Sequence, residues 1–248
     1  MTAISLAAVL AAAMVGGFVQ GFAGFGSTLA ALPIMTLALD AGAAVPAGCL
    51  MALCVNIVLV ARLRAHIRTR ALLGLVCASL PGAALGLVFM GAVPDAALKG
   101  LMGAATLYAA WKLSHAGPAV TAPGKGWAAV AGTAAGFLGV SIGINGPPIV
   151  AWTARQPWDA ASVKATLTGY FFLTGLVIVG GQAANGLFTP TALTAFVWSL
   201  PALTLGLWAG LASCGRVGER VFRLAFLGLL AITGASLSAG AAATLIGL

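Results

Sequence analysis

Long uncharged apolar runs follow one another along the whole chain, and they leave few folds open. Neither Leu72–Val93 nor Phe171–Leu187 contains a charged residue. A helical run of about 20 such residues crosses a hydrocarbon core of about 30 Å. In lipid every backbone polar group must be satisfied within the protein, so only helices and closed barrels span it. Barrel strands would show as short segments of alternating polarity, and the sequence carries none. The chain therefore reads as an all-α polytopic protein of the cell (inner) membrane, with the lipid bilayer as its first partner. Its composition agrees: 6% of residues are charged, where soluble domains have about 25%. The net charge of +8 reads as the cytoplasmic Lys/Arg signal of membrane proteins, not as a surface for nucleic acid.

The first apolar segment is unusual. Residues 16–35, GGFVQGFAGFGSTLAALPIM, hold five glycines and a proline. Each interior glycine costs a helix about 1 kcal/mol relative to alanine, and an interior proline about 3. The same pattern returns 115 residues later, where GGFVQGFAGFGSTLAALPI falls on AGTAAGFLGVSIGINGPPI without a gap. Gly17 meets Gly132, Gly21 meets Gly136, Phe22 meets Phe137, Gly24 meets Gly139, and Pro33 meets Pro148. This divides the chain into a first repeat (1–116), a linker (117–126) and a second repeat (127–248). Each repeat is a broken segment followed by three apolar helices. The segments are 2–39, 43–61, 72–93 and 95–113, then 127–153, 163–184, 190–213 and 222–247.

Part of the glycine content reads as helix packing. Gly17/Gly21 and Gly132/Gly136 have the GxxxG spacing that lets helices approach closely, and a methyl group at Gly17 or Gly132 is expected to be mild. Gly139, Pro33, Pro147 and Pro148 complete the group of structural or helix-breaking residues. Packing does not account for Gly24 and Gly26 or for the run GVSIGINGPP. Paired interruptions at matching positions of two halves point to a transporter's binding site, and half-helix N-termini present N–H groups to anions.

The charges bear on topology. If all eight segments cross, six Lys/Arg residues fall on each side. If 2–39 and 127–153 are re-entrant hairpins and ARLRAHIRTR lies inside, eleven fall inside and only Lys99 outside. The second count obeys the positive-inside rule. It gives three crossings per half and hence an inverted repeat.

The motifs GFVQGFAGFGSTLAALP and AGFLGVSIGINGPP, duplicated in a chain of this length, resemble the TauE/SafE family of membrane transporters. The resemblance covers essentially the whole chain and implies export of sulfite, sulfoacetate or related sulfonates, or carriage of a short organic acid. Where many members have a GxGGG-like run, this chain has GFGST and SIGING, so Ser27, Thr28, Ser141 and Asn145 add side-chain donors to the backbone.

The expected substrate site therefore comprises Gly24, Gly26, Ser27, Thr28, Ser141, Gly143 and Asn145, with Asn56 and Thr168 from neighbouring helices. For Thr168 the competing reading is a bond to its own helix carbonyl; for Asn56 it is interhelical contact. Arg155 and Lys164 read as orientation charges rather than anion attractors. Asp40, Asp95, Asp159 and Glu219 all fall in loops or at segment ends, so neither a proton relay nor catalytic residues are expected. No metal or cofactor is expected either. Cys49, Cys54, Cys77 and Cys214 read as small packing residues, and His66 and His115 as solvated. MTAISLAAVLAAAMVGG lacks the basic start of a signal peptide and is expected to stay. The function expected is a secondary transporter of a small anion. The alternatives are an anion channel and a non-transporting scaffold, and a homodimer is compatible with each.

Overall fold

The computed structural model describes residues 1–115, 125–213, 216 and 218–246. The linker placed at 117–126 lies almost wholly outside them, as does Cys214. Among the described residues there are ten α-helices, one 3-10 turn and no strand: α1 Ala3–Ala23, α2 Ser27–Met35, α3 Ala41–Leu63, α4 Thr69–Ala92, α5 Asp95–Ser114, α6 Lys125–Ile142, α7 Gly146–Thr153, α8 Ala160–Ala184, α9 Pro190–Ser213 and α10 Glu219–Ile246. Six helical stretches are long and apolar enough to cross a bilayer, in α1, α3, α4, α8, α9 and α10. α5, which carries Asp95, Lys99 and Lys112, is not one of them.

Both broken segments are two helices joined at a glycine turn. α1 ends at Gly24, whose N–H donates to the Gln20 carbonyl, and Gly26 is the N-cap of α2. Gly24, Gly26 and Gly143 have φ of +82°, +91° and +71°, a region that a Cβ disfavours. α2 then folds back along α1, so that Ser27 and Ala31 lie against Gly16. The breaks thus fall at 24–26 and 143–145. Pro33 sits inside α2, Gly17 and Gly21 inside α1, and Gly132, Gly136 and Gly139 inside α6. Pro147 and Pro148 occupy the first turn of α7, where a missing N–H breaks no intrahelical bond.

After each hairpin an aspartate starts the next long helix. The side chain of Asp40 accepts from the Ala43 amide at 2.7 Å, and that of Asp159 from the Ser162 amide at 3.2 Å. Such N-caps satisfy first-turn donors. The Asp159 carboxyl is held below the usual range by its hydrogen bonding to Ser162.

The long helices pair across the halves. Met14 and Phe18 of α1 lie against Gly206 and Gly210 of α9, so residue numbers rise together and the two helices run parallel. Gly82 and Gly86 of α4 meet Thr133 and Phe137 of α6 in the same sense. α3 and α8 run antiparallel: Cys49, early in α3, meets Gln182, late in α8, and Arg68 just after α3 donates its amide to Thr166 at 3.0 Å. α5 and α10 also run antiparallel, with Gly100 on Ala241 and Leu107 on Gly234.

These seams correct one expectation. A Cβ on Gly17 would lie 2.5 Å from the Leu203 carbonyl oxygen, and one on Gly132 would lie 2.6 Å from Ala78 Cβ. In each case the neighbour is a facing helix rather than a flexible side-chain end. Alanine at these positions is therefore not mild, because GxxxG is matched by small residues on both helices of the seam.

Candidate functional site

The two breaks meet at one cavity. Its wall is formed by Gly26, Ser27 and Thr28 from the first break and by Gly143, Asn145 and Gly146 from the second. α3 contributes Cys49 to Asn56 and α8 contributes Phe171 to Ile178, the middle stretch of each long helix, which puts the cavity near half depth. The volume open to the centres of water-sized spheres is about 40 Å³. One water needs roughly 10–15 Å³ on that measure, so the cavity holds a few waters or one small oxyanion.

The first turn of a helix has N–H groups with no intrahelical partner. In α2, the Ser27 amide donates to Gln20 Oε1 at 3.0 Å, and no described residue accepts from Thr28 or Leu29. The Ser27 and Thr28 hydroxyls make no hydrogen bond to a described residue either, and both residues line the cavity. The second break supplies less. The Ile144 amide closes α6 on the Leu138 carbonyl at 3.2 Å. Pro147 and Pro148 have no N–H to offer, which leaves Gly146 as the first-turn amide of α7.

Of the residues expected at the site, Gly26, Ser27, Thr28, Asn56, Gly143 and Asn145 come together in the cavity wall, and Gly24, Ser141 and Thr168 lie outside it. The Ser141 hydroxyl donates to the Phe137 carbonyl at 2.7 Å and Thr168 to the Lys164 carbonyl at 2.8 Å, each within its own helix. Gly24 lies under the Lys164 side chain, whose Cγ would be 2.6 Å from a Cβ there. The Lys164 ammonium donates to the carbonyls of Phe22 at 3.2 Å and Gly21 at 3.4 Å, a favourable position for a cation at the C-terminal end of α1. Asn145 Nδ2 donates to Thr174 Oγ1 at 3.3 Å, and that hydroxyl donates onward to the Tyr170 carbonyl at 2.7 Å.

Among the wall residues not anticipated as site residues, two have polar side chains. Cys49 looked like packing and lines the cavity. Gln20 is 1% exposed and joins the first break to Asn56, with Nε2 on Asn56 Oδ1 at 2.8 Å. The signal for it was available: a glutamine inside an otherwise apolar segment is costly in lipid unless it has partners. The described wall contains no carboxylate, histidine, lysine or arginine. Its polar side chains are neutral hydroxyls, amides and one thiol.

The sequence model of a family described as Sulfite exporter TauE/SafE matches residues 9–237 of the 248. No curated protein and no solved structure matches the chain.

Proposed function

Since the chain belongs to the TauE/SafE sulfite exporter family, a family of membrane transporters, we propose that it carries one small oxyanion, sulfite or a compact sulfonate, outward through the cavity between its two breaks. The supporting observation is the convergence of both breaks on one cavity at the middle of α3 and α8. Free first-turn amides of α2, the Ser27 and Thr28 hydroxyls, and Asn56 face an anion there. The size of the cavity favours sulfite over a longer sulfonate or organic acid in this conformation. With no carboxylate, histidine, lysine or arginine among the described wall residues, the driving force in this reading is the membrane potential, about 2.3 kcal/mol per elementary charge per 100 mV. That term directs an anion out of an inside-negative cell.

The reading includes a topology. We take the α1/α2 and α6/α7 hairpins as re-entrant, with α3, α4, α5, α8, α9 and α10 crossing. The parallel α1–α9 and α4–α6 seams and the antiparallel α3–α8 and α5–α10 pairs are what two oppositely oriented halves require. α1 is long enough to span, but its C-terminal end stops beside Lys164, the fifth residue of α8, short of the loop level, and α2 turns back.

The test is flux in proteoliposomes with an imposed potential, using sulfite, sulfoacetate, sulfate and lactate. Saturable sulfite flux that accelerates when the potential favours anion exit is expected. Flux that never saturates would make the protein a channel, and no flux of any of the four would leave the scaffold reading.

A further inference from the structure

We propose that Gln20 is a positioning residue that fixes the orientation of the Asn56 amide, so that the cavity meets its anion with Asn56 Nδ2 rather than Oδ1. This rests on the anion-carrier reading above and adds the device by which a neutral amide is made donor-only.

One group in this chain of contacts has a fixed polarity, the Ser27 backbone N–H. A side-chain amide can turn over and exchange its oxygen and nitrogen, so its direction is set by its hydrogen-bond partners. The Ser27 backbone N–H can only donate. It meets Gln20 at 3.0 Å, so that end of the glutamine is Oε1. The other end is then Nε2, which has two hydrogens. One goes to Asn56 Oδ1 at 2.8 Å and the other toward the Gly24 carbonyl at 3.4 Å. Whichever way Asn56 points, the reversed glutamine would set its oxygen against the Gly24 carbonyl and its nitrogen against the Ser27 N–H. Gln20 and Asn56 are 1% and 2% exposed, and at that burial each mismatch costs the desolvation of an unsatisfied polar atom.

Asn56 inherits the direction. Its oxygen is engaged by Gln20, it lines the cavity, and its Nδ2 donates to no described residue. The nitrogen is therefore the end left for the ligand. An isolated asparagine would present either end, and an oxygen facing an anion is repulsive. The relay begins at the α2 backbone, in the turn of the broken segment, and ends on α3. The break thus supplies two kinds of donor, its own free amides and, through Gln20, the side chain of Asn56.

The test is a double-mutant cycle on sulfite flux in proteoliposomes, with Gln20→Met, Asn56→Leu and the pair. If Gln20 acts through Asn56, each single variant raises the KM for sulfite by between about tenfold and a hundredfold, the range for a hydrogen bond to a charged group. The pair is then no worse than Asn56→Leu alone. Penalties that multiply in the pair would mean independent roles and overturn the inference. A second arm, decisive also where Gln20→Met fails to fold, uses Gln20→Glu, with its sulfite KM divided by that of wild type at each pH so that substrate ionisation cancels. Protonated glutamic acid reproduces the glutamine pattern, accepting from Ser27 and donating to Asn56, whereas the carboxylate cannot donate. The ratio should be near one at about pH 5 and rise steeply toward about pH 8, since burial lifts a carboxyl above its usual pKa of about 4.3. A ratio that stays flat overturns the inference, and so does one that rises as steeply in an Asn56→Leu background, because repulsion of the anion by the new carboxylate would act there without Asn56. Absence of sulfite flux in the wild type would instead sink the carrier reading, which keeps the two failures apart.

Discussion

Alanine at Gly17 tests whether the seams between the halves are set by glycine. The facing Leu203 carbonyl oxygen would be 2.5 Å from the new Cβ, with the Leu207 amide nitrogen at 2.9 Å. Both atoms belong to the α9 backbone, so no rotamer change relieves the overlap, and α1 must move off α9 by a large fraction of an ångström. Gly21, one turn further along, has the same relation to Leu207 O at 2.6 Å, so the displacement loosens the seam over at least two turns. Overpacking of this kind costs about 1–3 kcal/mol. Alanine also has the better helix propensity, by about 1 kcal/mol, which partly hides the loss. The control removes that term. Gly180 lies inside α8 with no atom within 4 Å of a Cβ, so Gly180→Ala gains propensity and meets nothing.

The difference between the two variants isolates the packing cost. At roughly 2–4 °C per kcal/mol for a chain of this size, Gly17→Ala should melt several degrees below Gly180→Ala in detergent. Gly132→Ala should behave like Gly17→Ala, because its Cβ would lie 2.6 Å from Ala78 Cβ and 3.0 Å from the Leu75 carbonyl oxygen. Equal melting temperatures for Gly17→Ala, Gly132→Ala and Gly180→Ala would refute the reasoning. The small residues would then be incidental to the seam.

Two further outcomes follow from the hairpin geometry. Single cysteines at Ala3 and at the chain end Leu248, in a background without the native cysteines, should both react with an impermeant thiol reagent from outside the cell; labelling from the cytoplasm would reverse the proposed orientation. Gly143→Val should abolish sulfite flux, because the position has φ +71° and its Cβ would run into Leu32 of the opposite hairpin; normal flux per folded protein would show that the second break tolerates a side chain.

Much of this architecture was legible in the sequence because membrane insertion acts on composition over long windows. The apolar segments at 43–61, 95–113 and 163–184 lie within helices extended by a few residues, 190–213 coincides with α9, 72–93 passes the end of α4 by Val93 alone, and 222–247 matches α10 as far as Ile246, the last described residue. The positions of the breaks were legible because glycine is needed where φ is positive, and Gly24, Gly26 and Gly143 have it. What each polar side chain does was far less legible, since that depends on partners distant in sequence. Ser141 and Thr168 look like Ser27 and Thr28 on paper, but a hydroxyl inside a helix has its own i−4 carbonyl within reach, whereas Ser27 and Thr28 stand at a helix start. Gln20 was overlooked for the same reason, its partner Asn56 being 36 residues away.

The repeat itself also suggests more equivalence than the packing allows. Two matching breaks imply two matching contributions to the ligand. The first break, however, offers the Thr28 and Leu29 amides and, through Gln20, orients Asn56. The second begins α7 with two prolines, and its asparagine already donates to Thr174 at 3.3 Å. An anion in the cavity should therefore depend more on the first half. Asn56→Ala removes a nitrogen with both hydrogens available and should weaken sulfite binding by about 1.5–3 kcal/mol, the range for a hydrogen bond to a charged group. Asn145→Ala removes a nitrogen already shared with the wall and should cost about 0.5–1.5 kcal/mol, the range for a neutral bond. Sulfite KM measured for the two variants in proteoliposomes decides between an asymmetric and a symmetric site. A larger penalty for Asn145→Ala would place the ligand against the second break and remove the basis for reading α2 as its main anchor.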